Sequence, residues 1–285
     1  MKYALFLGCS IPVRVMGYEK SARAVAEKLG LEFVDVDGFR CCGYPVKALD
    51  HYTSLLLAAR NLALAEEAGL EICTLCNACS GSLLEADIEL KEDEALRNKI
   101  NEDLKKLGLE YKGTTKVKHF LRIIEELAAA GEVPELEDVL AKSPVAAHYG
   151  CHFTKPTRAY NHYYGEDLPS QALDNLIGLV GAESTDYSGK DGCCGGGLLA
   201  LRQDYAGQLS AEKVTAMVEA GAKSVVVTCP TCGMMLSNNQ EEDDEFPVIY
   251  FPQLLGLALG IDPDDLGFEL NSVDAEDWLE ELGVG

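Results

Sequence analysis

Short apolar runs alternate along this chain with longer stretches in which apolar residues recur at helical spacing. KYALFLG (2–8) reads as a buried strand, followed by Cys9, a loop with Pro12 and an amphipathic helix around 18–29. LEFVDVD (31–37) is a second strand, and 50–68 is a long helix with Leu and Ala on one face. LEICTL (70–75) is a third strand that runs into Cys76. After more helix, SPVAAHYG (143–150) starts the cycle again, with a helix over about 205–220 and a strand, AKSVVVT (222–228), closed by Cys229. Strand–helix alternation of this kind predicts parallel α/β sheets with helices on their faces.

The cycle is an internal duplication. EEAGLEICTLCNAC (66–79) and VEAGAKSVVVTCPTC (218–232) share a helix end, a glycine, an apolar strand and then CxxC. FLGC (6–9) matches HYGC (148–151), and FRCCG (39–43) matches DGCCG (191–195). The expected organisation is an N-terminal domain over 1–142, a C-terminal domain over 143–262 and an acidic tail or helix over 263–285. In that tail Trp278, Leu279 and Leu282 stand at helical spacing, as in a helix that docks on the body or on a neighbour. Open α/β sheets bind ligands beyond the carboxyl ends of their strands. Every cysteine of the repeat falls just after a strand or in such a loop.

Composition narrows the chemistry. With 285 residues, 47% hydrophobic, and a mean hydropathy near zero, the chain is long enough for two modest cores. The longest apolar stretch, LLLAARNLALA (55–65), is too short and too interrupted to span a bilayer. LFLGC (5–9) superficially matches a lipoprotein cleavage box, but the apolar run before it is too short for a signal peptide, so the expected location is the cytoplasm. A formal net charge of −23 argues against nucleic acid, which needs clustered Lys and Arg. The acidity gathers in EEDDE (241–245), DPDD (262–265) and DAEDWLEEL (274–282), which read as solvated faces, with a docking surface for a basic partner as the alternative.

Eleven cysteines in a chain read as cytoplasmic point to metal or redox chemistry, not to disulfides. Each half carries one Cys, then a CC pair, then CxxC: Cys9, Cys41, Cys42, Cys76 and Cys79 in the first, and Cys151, Cys193, Cys194, Cys229 and Cys232 in the second. Thirty-three residues separate the CC pair from CxxC in the first half and thirty-four in the second. Taking Cys73 with Cys76 instead shortens the first gap to thirty, and Val226 stands in the second half where Cys73 stands in the first. Cys73 therefore reads as a small buried thiol in a strand. Adjacent cysteines are poorly placed to bond to each other, and the glycines of DGCCGGG (191–197) relax the backbone and admit a bulky group. Five thiolates per half exceed the four of a tetrahedral zinc site, which favours iron–sulfur clusters over zinc. A zinc-binding structural scaffold is the alternative from a different class.

The pattern resembles the cysteine-rich CCG domain, present twice, and the whole chain resembles the HdrB-type component of heterodisulfide reductases. The resemblance covers nearly all of 1–260 and rests on FLGCSIPVR, CCGYP, LCNACSGSL, HYGCHFTKPTR, CCGGG, TCPTC and FPQLLGLALG. It implies an α/β fold of two duplicated CCG domains, each a small parallel-type sheet flanked by helices. It also implies two non-cubane [4Fe–4S] clusters, one per five-cysteine set, which together cleave a disulfide into two thiols by paired one-electron transfers. The implied partners are a ferredoxin-like protein of the HdrC type and a flavin-containing protein of the HdrA type. The substrate is a small anionic or a protein disulfide, and the sequence after the first CC pair departs from the methanogen form, which leaves its identity open. The alternative within the same family is an electron-transfer subunit of a complex oxidising a hydroxy acid, glycerol 3-phosphate or succinate.

Thiol products need protons. His152, in the GCH run, is the candidate donor, weighed against a histidine that only hydrogen-bonds cluster sulfur or backbone. His51, His119, His148 and His162 read as structural. Among basic residues near the cysteine loops, Lys155 and Arg158 of CHFTKPTR are the candidates for receiving an anionic substrate.

Overall fold

The computed structural model describes residues 1–165, 170–240 and 246–284. Its first half runs β1 (Lys2–Phe6), α1 (Ile11–Arg14), α2 (Met16–Lys28), β2 (Glu32–Val34), α3 (His51–Ala68), β3 (Glu71–Thr74), α4 (Asn77–Glu92), α5 (Glu94–Leu104), β4 (Val117–His119) and α6 (Phe120–Ala130). The second half runs β5 (Pro144–His148), α7 (Thr157–Tyr163), α8 (Ala172–Leu179), β6 (Glu183–Thr185), α9 (Gln203–Glu219), β7 (Ser224–Val227), α10 (Pro230–Asn238), β8 (Val248–Tyr250) and α11 (Phe251–Ala258). Two short helices follow, α12 (Pro263–Leu266) and α13 (Glu276–Leu282).

The two sheets have the same order, β2-β1-β3-β4 and β6-β5-β7-β8, with every pairing parallel. The registers coincide as well: Ala4 faces Val34 as Ala146 faces Thr185, and Leu5 faces Cys73 as Ala147 faces Val226. The duplication read from the sequence is therefore a duplication of strand order and register. Central strands covered on both faces are mostly apolar, and Ser224–Val227, one serine and three valines, is buried at all four positions.

Some elements differ from the sequence reading. The stretch around Pro12, expected as loop, forms α1, because proline is tolerated in the first turn of a helix. The second strand shrinks from 31–37 to three residues, since β2 lies at the sheet edge and pairs only with β1. The fourth strands, β4 and β8, complete each sheet and carry too few residues for an alternation to be read. FPQLLGLALG, noted only as a motif, supplies α11, all of whose eight residues are buried. Burial of each Leu or Phe there contributes about 1.5–3 kcal/mol.

The chain forms two compact units whose residues interleave. One contains β1 through Cys9, residues 30–120 and the stretch from His152 through α7. There α7 packs on α4, where Gly81 gives the Lys155 carbonyl room and Tyr163 donates its hydroxyl to Asp87. The other contains residues 10–29, most of α6, β5 through Cys151 and the described residues from Ser170 onward. There α2 packs on α11, with Tyr18 stacked on Tyr250 at 4.3 Å. In the tail, Trp278 and Leu279 are buried in this second unit, so the terminal helix docks on the body. The acidic run 241–245 lies outside the described residues.

Candidate metal centres

Strand order fixes where the cysteines meet. In the order 2-1-3-4 the chain reverses direction of winding at the β1/β3 boundary, and the crevice beyond the carboxyl ends of those strands is the natural ligand site. Cys9 follows β1, Cys76 and Cys79 follow β3, and Cys41 and Cys42 sit in the loop after β2. Cys151, Cys229, Cys232, Cys193 and Cys194 stand in the same relation to β5, β7 and β6. Each set of five lies wholly within one unit.

The contacts between sulfurs follow one path in both. In the second set Cys151 lies 3.9 Å from Cys193, which meets Cys194, which meets Cys232, which meets Cys229. In the first, Cys41 meets Cys42, Cys42 meets Cys79 and Cys79 meets Cys76, with Cys9 close enough to Cys41 to act on it electrostatically. Cys42, Cys76 and Cys79, like Cys194, Cys229 and Cys232, are buried, whereas Cys9 and Cys193 are exposed, so each set has a closed and an open side.

Crowded thiols cannot all ionise unaided. Donation from Cys41 and Cys79 holds Cys42 down to about 3, and those two donors are pushed up. Donation from Cys151 and Cys194 holds Cys193 well below the usual thiol range, while Cys151 is pushed up and Cys194 rises to about 12. Bound cations would favour ionisation of the thiols that are pushed up. The remaining surroundings favour thiolate. Cys76 and Cys229 are the N-caps of α4 and α10, so the CxxC pairs sit at the positive ends of helix dipoles. Backbone N–H groups of Gly43 and Gly195 point at Cys41 Sγ (3.5 Å) and Cys193 Sγ (3.3 Å). A Cβ at Gly8 would lie 3.0 Å from Cys79 Sγ. Five converging sulfurs with backbone donors on them fit an iron–sulfur cluster.

The glycine of each CCG has a reason other than the one the sequence suggested. Gly43 (φ +89°) and Gly195 (φ +87°) are both left-handed, and a Cβ there would run into the Ser54 carbonyl of α3 or the Ala206 carbonyl of α9. They let the loop lie on a helix; the group they admit closely is protein backbone. The loops are also tied from behind. Asn61 accepts from the Arg40 N–H and donates to the Cys41 carbonyl, and Ser82 donates to the Cys42 carbonyl. In the second unit Lys213, buried over the Tyr187 ring, donates to the Gly189 carbonyl.

His152 follows Cys151 in sequence but lies in the unit of the first cysteine set. Its Nε2 is 2.9 Å from the hydroxyl of Tyr44, the residue after the first CCG, and the two rings meet edge to face at 4.7 Å. Lys155 is exposed in the same unit. Arg158 pairs with Glu92 at the last residue of α4, about 20 Å along that helix from Cys79. Lys47 pairs with Glu85 and His51 with Glu89. Cys73 is fully buried in β3, and burial pushes its thiol up, consistent with a packing role.

Two residues escaped the sequence reading. Tyr44 stands in the quoted CCGYP but drew no role. His148 was read as structural, yet it is fully buried, with a ring nitrogen within 4.8 Å of Cys194 Sγ and Cys232 Sγ, and burial holds it neutral by lowering its pKa to about 3. The signal was available in HYGC opposite FLGC, which sets a histidine against a phenylalanine.

A model of a cysteine-rich domain, CCG, matches residues 3–84 and 145–237. The chain is 36% identical, over 99% of its length and 97% of the relative's, to the B component of the Ferredoxin/F(420)H(2)-dependent CoB-CoM heterodisulfide reductase of Methanosarcina acetivorans. It is 31% identical, over 96% of its length and 98% of the relative's, to the 8-methylmenaquinol:fumarate reductase membrane anchor subunit of Wolinella succinogenes. Among the described residues no helix is long and apolar enough to cross a membrane. The fold also matches a crystal structure of a hypothetical protein from Helicobacter pylori, with a TM-score of 0.80 at 20% identity, over 96% of this chain and 52% of that one.

Two outcomes follow from this geometry. Gly195→Ala is expected to cost at least about 2 kcal/mol, from left-handed strain plus the clash with α9, as read by thermal or denaturant unfolding. Gly189→Ala, left-handed but with open space, carries the strain alone; equal losses would contradict the packing role of Gly195. Asp174 is the second case. Burial alone would raise it, but donation from Lys190, Ser184 and Tyr149 outweighs that and holds it below the usual carboxylate range. Its stabilisation is present above about pH 4 and is lost as pH falls through the lowered value. Asp174→Asn should therefore be less stable than wild type at pH 7, with a deficit that shrinks in acid; a pH-independent deficit would contradict this.

Proposed function

The chain belongs to the family of proteins built on cysteine-rich CCG domains, and from that premise we propose that it is the iron–sulfur electron-transfer subunit of an oxidoreductase complex that reduces a disulfide to two thiols. The observation that carries this reading is the repetition of five linked sulfurs, in one order, at the switch point of each sheet. Cys9, Cys41, Cys42, Cys76 and Cys79 hold one cluster, and Cys151, Cys193, Cys194, Cys229 and Cys232 the other, each a non-cubane [4Fe–4S] cluster. When bound, such clusters pass electrons singly, so two of them match the two electrons a disulfide takes up.

The other residues handle protons and charge. Cleavage consumes two electrons and two protons per disulfide and yields two thiols. His152 delivers a proton from its ring, a role supported by the Tyr44 hydroxyl 2.9 Å from Nε2, Tyr44 being the residue after the first CCG. Lys155, exposed and four residues past Cys151 in sequence, is the residue offered to an anionic group on the substrate; Arg158 would first have to leave Glu92. Electrons reach the chain from a ferredoxin-like protein of the HdrC type, itself supplied by a flavin-containing protein of the HdrA type, in a cytoplasmic complex.

The similarity to the Wolinella protein supports a second reading, an electron-transfer subunit of a complex acting on succinate, a hydroxy acid or glycerol 3-phosphate. The two readings part at the disulfide. On anaerobically purified protein a paramagnetic signal from an oxidised cluster should change when a small disulfide is added; a signal indifferent to disulfides would favour the second reading. Cys41→Ala and Cys194→Ala should each remove one cluster's iron and abolish turnover, while Cys73→Ala leaves iron content intact. Loss of iron from Cys73→Ala would mean that the first CxxC is Cys73 and Cys76. His152→Gln should slow disulfide reduction about a hundredfold with iron unchanged; an unchanged rate would remove His152 from the mechanism.

A further inference from the structure

The two cysteine sets share strand order and cysteine order but differ in what stands at the strand ends beside them. Through the shared register, Phe6 at the end of β1 corresponds to His148 at the end of β5. Phe6 is fully buried and packs edge to face on Phe39 at 5.1 Å. His148 is fully buried as well, against the hydroxyl of Tyr187, two residues past β6. The residue two past β2 is Val36. At these two positions one unit has hydrocarbon where the other has an imidazole and a phenol.

One polar atom of that pair is left without a partner. The Tyr187 hydroxyl lies 3.2 Å from the Ala147 carbonyl and 3.4 Å from His148 Nδ1. His148 Nε2 is fully buried and has no hydrogen-bond partner among the described residues, a costly state for a polar nitrogen. A ring nitrogen of His148, Cys194 Sγ and Cys232 Sγ all lie within 4.8 Å of one another. Five cysteines already complete the ligand set of that centre, so the imidazole has no place on the metal. What remains open is its proton. Burial keeps the ring neutral, with one N–H that either nitrogen can carry. Metal-bound thiolates and sulfides offer lone pairs and no protons. A bare Nε2 would turn its own lone pair towards theirs and stay unpaired. A proton on Nε2 gives those sulfurs a donor, and Nδ1 then accepts from the Tyr187 hydroxyl.

Resting on the two-cluster reading above, we infer that His148 is a hydrogen-bond donor to the second centre, giving its Nε2–H to sulfur beside Cys194 and Cys232 while Tyr187 holds the tautomer through Nδ1. All five cysteines stay ligands. Reducing a cluster adds one negative charge, and an N–H aimed at its sulfur in a dry site stabilises that charge. His148 therefore raises the potential of the second centre above the value its cysteines alone would set. Phe6 offers the first centre no such donor. The role is tuning and not proton supply, because the His148 side chain has no access to solvent.

The test uses the full chain purified anaerobically after growth on histidine labelled with nitrogen-15 in the ring, and reads iron, acid-labile sulfide, pulsed EPR and a redox titration. Wild type should show a weak imidazole nitrogen coupling, of the size carried through a hydrogen bond, that persists in His152→Gln and Cys41→Ala and is lost in Cys194→Ala. His148 is the one histidine of the five that lies in the second unit, so these variants assign the coupling without touching it. In His148→Phe, which copies the first unit, the coupling should vanish with iron and sulfide retained, and one couple should move to lower potential while the other stays. His148→Gln, whose side-chain amide can donate from near the Nε2 position, should keep that couple close to wild type. A strong coupling, as from a nitrogen on iron, would overturn the donor role, and so would no coupling at all. An unmoved couple in His148→Phe, or equal falls in the Phe and Gln variants, would overturn the tuning. Absence of iron and sulfide from wild type would overturn the cluster reading and this inference together.

Discussion

Bringing five sulfurs into contact at the end of a sheet is the constraint on which the rest of each unit depends. Within each set the contacts favour ionisation of one thiol, Cys42 or Cys193, and push up the thiols that donate to it. Such an arrangement has little to recommend it as protein packing. It becomes sensible once cations absorb the charge that the remaining thiols would carry, and the helix N-termini and backbone donors around the sulfurs already lean that way. Parallel topology does the gathering, since only the carboxyl ends of β1 and β3, or of β5 and β7, bring separate loops to one edge.

Once the sulfurs are gathered, the details around them read as supports. Gly43 and Gly195 lay the CC loops onto α3 and α9, at a distance no side chain would allow. Asn61 and Ser82 fix the first loop through its carbonyls, while Lys213 on the Gly189 carbonyl and the Lys190–Asp174 pair hold the approach to the second. The supports are different chemistry on the same backbone. Duplication kept the strand order and the order of the cysteines and left the residues around them free to diverge, as Phe6 and His148 do.

Much of this was legible in the sequence because it is written in spacing. The order Cys, CC, CxxC survives in both halves, and the near-equal gaps chose Cys76 and Cys79 over Cys73, whose place in β3 facing Leu5 matches that of Val226 facing Ala147. Strands ending in cysteine gave the α/β alternation and the edge at which the cysteines collect. What spacing does not carry is which residues share a unit. His152 is a neighbour of Cys151 along the chain, yet it turns to Tyr44, more than a hundred residues away, because the chain passes from one unit to the other between Cys151 and His152. Arg158, attractive beside a cysteine loop in sequence, is committed to Glu92 at the far end of α4. The role of the CCG glycine also needed coordinates, since its obstacle is a helix carbonyl and not the bound group.

The central claim is that two five-cysteine sets each hold an iron–sulfur cluster. Iron, zinc and acid-labile sulfide measured on anaerobically purified protein test it most directly. The account predicts about eight irons and eight sulfides per chain, as two four-iron clusters require, and no zinc. Zinc without sulfide would contradict it and would make the duplicated cysteines structural.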